Sequence, residues 1–233
     1  MNKSPHAPFD AAIILCSGSN GLGAVRSLAR AHVPTVIICL SNQEPALRSR
    51  YPHHKHVISS EKPFDEAMLE ALASYAGRHG VIIPTSDKFV AFMLRHRQRL
   101  SEGFLICMPD TKITDMLLDK HAETQAIEQI GIPLPKTVRQ LPDTPDALKA
   151  ALGLPILIKP RLAELTKHLD GQKNLLLNSD HALDEFYQKY HSVFESLLAQ
   201  EVIQGDDENL WVCNCTFGNE YNLLTAFTFR RLR

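Results

Sequence analysis

The residues best placed for chemistry lie far apart in the chain. Lys120 follows Asp119 in an amphipathic stretch, and Lys159 ends the apolar run Pro155-Ile156-Leu157-Ile158-Lys159 just before Pro160. A lysine at a strand end offers a compact positive charge suited to phosphate. It is more often a solvated residue whose stem covers apolar surface. Glu201-Val202-Ile203 closes another apolar run, and Gly205-Asp206-Asp207-Glu208 after it is a dense acidic cluster. Near the start, Gly18-Ser19-Asn20-Gly21-Leu22-Gly23 follows an apolar run and opens a helical pattern, the setting in which a glycine turn cradles a pyrophosphate. Its spacing departs from G-x-G-x-x-G, and the next run ends Ile38-Cys39-Leu40-Ser41 with no carboxylate for a ribose. A tight turn is the better reading. The absence of any G-x-x-x-x-G-K-[ST] excludes P-loop chemistry.

Two further groups invite a site and have plainer explanations. His53, His54 and His56 follow Arg50-Tyr51-Pro52, but adjacent histidines point apart, so a solvated connector is preferred to a metal centre. Thr85-Ser86-Asp87 closes an apolar run. Ser86 or Asp87 is expected to cap the following helix, with a substrate-facing role as the alternative.

The elements that position these residues follow from hydrophobic period. Strands are expected over residues 11–16, 34–40, 56–59, 81–84 and 104–108, alternating with helices over 21–31, 63–78 and 88–100. Such alternation implies a parallel, Rossmann-like sheet with crossover helices. A long helix capped by Thr114 or Asp115 should run to about residue 130, stopped by Gly131 and Pro133. An α+β module follows: a helix over 146–152, a strand over 156–159, a polar loop and a strand over 174–177. A helix capped by Asp180 and a strand over 198–203 complete it. Runs 210–217 and 221–229 around Gly218-Asn219 read as a β-hairpin, with Trp211, Cys213, Cys215 and Phe217 on one face.

Composition bounds the class. The 233 residues carry 25 Lys and Arg against 26 Asp and Glu, a net charge of −1, so no basic field exists for nucleic acid or an anionic membrane. The 44% hydrophobic content is that of a globular protein. Cys16, Cys39, Cys107, Cys213 and Cys215 lie in apolar runs without C-x-x-C spacing, and are expected to be buried, reduced thiols in a cytoplasmic protein. No apolar run spans a bilayer and no signal peptide is expected.

Taken in order, the motifs form a pattern. Residues 113–205 resemble the ATP-grasp superfamily of carboxylate ligases, and the resemblance reaches back to residue 11. It is nearest to the carbamoyl-phosphate-synthetase-like bacterial ATP-grasp proteins. Its marks are Ala24-Val25-Arg26-Ser27-Leu28, Ser49-Arg50-Tyr51, Ile83-Pro84-Thr85-Ser86-Asp87 and Asp119-Lys120. Gly131-Ile132-Pro133-Leu134-Pro135, Ile158-Lys159-Pro160, Gln200-Glu201 with Gly205-Asp206-Asp207, and Phe227-Thr228 before Arg230 complete the series.

The resemblance implies an α/β protein. Residues 1–112 would be a Rossmann-like parallel-sheet pre-ATP-grasp domain. Residues 113–200 would be a connector helix and an α+β ATP-grasp lid domain. Residues 201–233 would be the hinge and first hairpin of a truncated C-terminal grasp subdomain. The implied parent is an ATP-dependent carboxylate–amine or carboxylate–thiol ligase acting through an acylphosphate, with ATP as cofactor and a small-molecule carboxylate as partner. The alternative is a non-catalytic nucleotide- or dinucleotide-binding module. By resemblance, Lys120, Lys159 and Arg231 reach the phosphates and Leu157 lines the adenine slot. The Glu201 carbonyl and Ile203 N–H meet the adenine edge, and Glu208, with Asp207 as competitor, holds the ribose. Two departures stand out. The loop 161–173 has one glycine where relatives are glycine-rich, leaving Lys167 and Lys173 to close over phosphates. The family's magnesium-binding Asp/Glu and Glu-x-Asn elements lie beyond Arg233. Magnesium is thus expected in the full-length protein only, and this chain is expected to be an inactive fragment without metal that can pair into a homodimer through its hairpin. The resemblance assigns no catalytic residue here.

Overall fold

The computed structural model describes residues 11–76, 80–218 and 220–230. The chain forms two compact units, one of Met1–Ile132 with Pro160–Lys173 and one of Pro133–Lys159 with Asn174–Arg233.

The first unit is built on β1 (Ala12–Cys16), α1 (Gly18–Arg30), β2 (Thr35–Cys39), β3 (His54–Val57) and α2 (Phe64–Ala73). β4 (Gly80–Pro84), α3 (Asp87–Arg95), α4 (Arg97–Ser101) and β5 (Phe104–Ile106) follow. The strands form one sheet in the order β3-β2-β1-β4-β5, every pair parallel. β1 and β2 are buried at every position, which is why their sequences are unbroken apolar runs instead of alternating ones. The period of two divides their side chains between two cores. Ile13, Leu15, Val36 and Ile38 join Met68, Phe89 and Phe92 in one, while Ile14, Cys16, Ile37 and Cys39 pack with Val25 of α1 in the other. α1 lies so close to β1 that a Cβ on Gly21 would stand 3.0 Å from the Cα of Cys16. Glycine is required there for packing.

Four expectations are corrected in this unit. The single helix over 88–100 is two, α3 and α4, separated at His96. The long connector helix is also two, α5 (Thr111–Leu118) and α6 (Lys120–Gln129), because Asp119 is extended at φ −100°, ψ 108°. Their caps are Asp110, which accepts from the Ile113 N–H, and Asp119, which accepts from His121 N–H. Thr114 is instead buried, its hydroxyl donating to the Pro109 carbonyl at 3.1 Å. The third strand is His54–Val57 instead of 56–59, so His54, expected in a connector, pairs with β2 together with His56. Finally, the loop after Lys159 holds a 3₁₀ helix, Ala163–Leu169, that buries Leu169.

The second unit contains β6 (Thr137–Val138), α7 (Pro145–Leu152), β7 (Ile156–Pro160), β8 (Leu175–Leu177), α8 (Asp180–Tyr190) and β9 (Leu197–Glu201). Its four-stranded sheet runs β6-β9-β7-β8, with β6 antiparallel to β9 and β8 antiparallel to β7. α7 begins at a Thr144 cap with Pro145 in its first turn and ends at Gly153, whose φ of +69° suits glycine. Ser179, not Asp180, caps α8, accepting from the Ala182 N–H at 3.2 Å. Leu148, Ile156, Ile158, Leu183, Phe186 and Leu197 form the core. Strand β9 ends at Glu201, so Val202 and Ile203 lie outside it. The expected hairpin is present as β10 (Trp211–Phe217) antiparallel to β11 (Leu223–Arg230), exposed along nearly its whole length.

The cysteines divide. Cys16 and Cys39 are buried, as expected, but Cys107, Cys213 and Cys215 are exposed; all five are free thiols.

Candidate functional site

Beyond the carboxyl ends of β1 and β4, where an open parallel sheet offers a ligand crevice, the protein's own groups are engaged. The Thr85 hydroxyl donates to the Leu15 carbonyl at 2.7 Å and accepts from the Ser17 N–H at 2.8 Å. The Glu44 carboxylate accepts from Gly18 N–H at 2.8 Å, at the N-terminus of α1. An anion at a helix N-terminus is what a dinucleotide pyrophosphate would supply. Here Glu44 takes that place, and the expected tight turn is instead the first turns of α1, which begins at Gly18 and contains Gly21 and Gly23. Ser86 begins α3 without a side-chain cap, and Thr85 serves the crevice instead.

The first unit also organises the Asp119-Lys120 pair. The Arg161 guanidinium meets the Asp119 carboxylate through Nε, at 2.8 Å to each oxygen, and through Nη2. The Lys120 N–H donates to the Arg161 carbonyl at 3.1 Å. Burial pushes the Asp119 carboxyl up, but the Arg161 guanidinium and the His121 N–H outweigh it and hold the group below the ordinary carboxylate range. Lys120 is therefore the first residue of a helix whose capping residue is clamped by the segment following Lys159 and Pro160.

In the second unit, the alternation of β7 buries Ile156 and Ile158 and leaves Leu157 and Lys159 half-buried on its other face. The Lys159 ammonium donates to Gln200 Oε1 at 2.5 Å. Gln200 Nε2 donates to Thr137 Oγ1 at 3.0 Å, and that hydroxyl donates to the Pro135 carbonyl at 2.8 Å. The relay crosses from β7 through β9 to β6. Glu201 is tied to the same edge: its N–H donates to the Lys136 carbonyl at 2.9 Å, and its Oε1 accepts from Lys136 N–H at 2.7 Å. Ile203 is 67% exposed. Glu208 lies in a short 3₁₀ turn, with its Oε2 3.7 Å from Arg230 Nη1. Within this unit Leu157, Lys159 and Glu201 belong to adjacent strands of one sheet. Arg231 lies outside the described residues.

Gln200 and Arg161 had no assigned role in the sequence reading, although a signal for each was present. Gln200 is a polar residue at the end of the buried run Leu197-Leu198-Ala199, and a buried amide needs partners. Arg161 follows Lys159-Pro160 directly and is the first cation of the polar loop that begins there. Among the described residues no group of three or more His, Cys, Asp or Glu is arranged to hold a metal ion. No described helix is long and apolar enough to cross a membrane.

No family model matches the chain. A D-aspartate ligase of Enterococcus faecium is 25% identical over 226 residues, covering 91% of this chain and 54% of the relative. The structure resembles N5-carboxyaminoimidazole synthetase from Staphylococcus aureus, solved with ADP, at a TM-score of 0.66 and 19% identity over 93% of this chain and 53% of that one. It also resembles the biotin carboxylase domain of Hydrogenobacter thermophilus 2-oxoglutarate carboxylase, solved with MgADP and bicarbonate. There the TM-score is 0.59 and the identity 15%, over 85% of this chain and 45% of that one. The chain spans about half the length of these relatives.

Proposed function

We propose, from a chain that shares its fold with ATP-grasp ligases, that the whole protein is an ATP-dependent ligase joining a small-molecule carboxylate to an amine or thiol. The observation that supports this most is the half-buried Lys159 at the end of β7, its ammonium held by Gln200. A lysine oriented from a strand by a buried amide is pre-organised to meet a phosphate, whereas a solvated lysine would have to be ordered on binding.

The residue assignments belong to the same proposal. Lys120, Lys159 and Arg231 neutralise phosphate oxygens. Leu157 covers one face of the adenine. The Glu201 carbonyl accepts from the adenine amine while Ile203 N–H donates to the ring, a backbone readout that explains why Val202 and Ile203 are ordinary residues. Glu208 accepts from the ribose hydroxyls. The donor set, ammonium and guanidinium groups with backbone polar atoms, fits a nucleoside triphosphate. Bound ATP with magnesium would supply the phosphoryl group that activates the substrate carboxylate as an acylphosphate. The chain's own residues bind, orient and offset charge, which is most of what phosphoryl transfer asks of a protein. Magnesium is proposed for the whole protein, where it would bind through carboxylates and substrate phosphates. The proposal extends to a cytoplasmic protein, and to pairing of two copies through the hairpin, which light scattering tests.

Calorimetric titration of ATP into the whole protein and its Lys159→Ala variant is the test. Loss of about 1.5–3 kcal/mol of binding free energy is expected, the scale of a charge-assisted hydrogen bond. Equal affinities would return Lys159 to the solvated reading. Acid-quenched ADP release across a panel of amino acids then identifies the carboxylate and nucleophile.

A further inference from the structure

Lys120 is held more firmly than the start of a helix requires. The Asp119 carboxylate caps α6 by accepting from His121 N–H at 2.9 Å, and one such bond is what a cap supplies. Onto the same carboxylate Arg161, 42 residues away, brings Nε at 2.8 Å from each oxygen and Nη2 on Oδ2. Four donor contacts then meet a group with about four acceptor sites, so the anion beside Lys120 in the chain is saturated. The Lys120 peptide groups are held as well. Its N–H donates to the Arg161 carbonyl at 3.1 Å, although the first N–H groups of a helix have no partner within it. Its carbonyl accepts from the hydroxyl of Thr124, a buried residue, at 2.7 Å. None of these bonds uses the Lys120 ammonium. Asp119, Lys120, Thr124 and Arg161 all belong to the first unit.

We propose that Arg161 is a positioning residue for Lys120, fixing the backbone from which that side chain springs and occupying Asp119, so that the ammonium is kept for a nucleotide phosphate. This role rests on the ATP-dependent ligase reading, in which Lys120 neutralises a phosphate oxygen. Lysine ends a flexible four-carbon stem, and whatever freedom it and its backbone retain must be given up when phosphate binds. Arg161 removes the backbone share of that cost beforehand. A carboxylate with open acceptor sites would also compete with phosphate for the ammonium, since both make charge-assisted bonds to it. Arginine suits the task because its planar fork covers both oxygens, whereas an ammonium is a point charge. A clamp with a structural role alone would stabilise the fold and leave nucleotide affinity untouched.

That difference is measurable. ATP is titrated calorimetrically into the whole protein and its variants, each first shown by circular dichroism to be folded at the titration temperature. Lys120→Ala should weaken binding by about ten- to a hundredfold, the scale of one charge-assisted hydrogen bond. Arg161→Ala should weaken it by about tenfold, the cost of ordering one flexible side chain on binding, and Arg161→Lys should recover only part of the loss. If Arg161→Ala does not fold, Asp119→Asn replaces it. That variant keeps a cap oxygen, loses the ionic partner of Arg161 and should weaken binding by about fivefold. The double variant Lys120→Ala/Arg161→Ala should bind within about twofold of Lys120→Ala, because a residue that acts through Lys120 has nothing left to act on.

Wild-type affinity in Arg161→Ala, or in Asp119→Asn where it stands in, would overturn the positioning role. So would losses that simply add in the double variant. A wild type that binds no ATP, or a Lys120→Ala variant that binds it as tightly as wild type, would instead overturn the nucleotide reading of Lys120, and the role of Arg161 with it.

Discussion

Arg161 grips Asp119 from two nitrogens, and the same Asp119 carboxylate caps the helix that begins with Lys120. One carboxylate thus closes a helix start and fixes the residue following Lys159-Pro160. Arg161 also accepts, through its carbonyl, from Lys120 N–H at 3.1 Å. The bidentate geometry matters because Arg is planar and pre-organised, so little freedom is lost per bond formed.

Asp119→Ala should therefore lower stability by about 1–2 kcal/mol, combining a lost cap with a charge-assisted pair that Arg161 keeps partly in solvent. The pH dependence has a definite sign. The folded-state pKa of Asp119 is lowered, so its contribution is present above the unfolded value of about 3.9 and fades as pH falls through the folded one. Urea titrations at pH 7 and pH 3 measure this. A difference between wild type and Asp119→Ala that fails to shrink at acid pH would contradict it.

Gln200 is the second anchor. Gln200→Leu removes the acceptor of the Lys159 ammonium and the donor to Thr137. A cost of about 1–2 kcal/mol is expected from two part-buried hydrogen bonds. Gln200→Glu keeps the acceptor, adds charge beside Lys159 and should recover much of the loss. Chemical denaturation of the three proteins tests the relay, and equal midpoints for wild type and Gln200→Leu would remove it.

The glycines of the first turn provide a paired test. A methyl on Gly21 would meet the Cα, Cβ and Sγ of Cys16 at 3.0–3.1 Å, whereas one on Gly23 would meet nothing within 4 Å. Both lie in α1, where alanine gains about 1 kcal/mol of helix propensity. Gly23→Ala should keep most of that gain. Gly21→Ala should show a net loss of about 1 kcal/mol, because overpacking against a buried strand exceeds it. Thermal melts that rank the two variants the other way would show that α1 can move off β1.

Tyr187 titrates late. Its hydroxyl donates to the Pro142 carbonyl at 2.9 Å, and burial, with the Asp143 charge adding to it, pushes the phenol up to about 12. A raised pKa means that the neutral form is favoured by folding. The contribution is complete below the unfolded value of about 10 and is lost as pH rises toward the folded one. Phenolate absorbance of wild type minus Tyr187→Phe should rise about two pH units later than for a free tyrosine. A difference curve centred near 10 would place the ring in water.

Much of this architecture follows from the residues alone. Unbroken β-branched runs such as Thr35-Val36-Ile37-Ile38 can be satisfied only where a strand is buried on both faces. Alternation with amphipathic helices then leaves parallel pairing as the natural solution, and the motif order from Gly18 to Asp206 was legible as a family resemblance. Local rules failed where one residue answered to a distant partner. The hydrophobic period ran straight through Asp119, yet the helix breaks there because its carboxylate serves both as a cap and as the seat of Arg161, 42 residues away. Sequence context likewise made Cys213 and Cys215 look like core thiols, since a strand's pattern does not record what covers it. Gln200 read as one letter in a strand until the sheet order β6-β9-β7 set it between Thr137 and Lys159. Periodicity and caps are properties of neighbouring residues, so the chain declares them. Ion pairs, buried amides and exposure are properties of residues brought together by packing, and only the tertiary structure decides them.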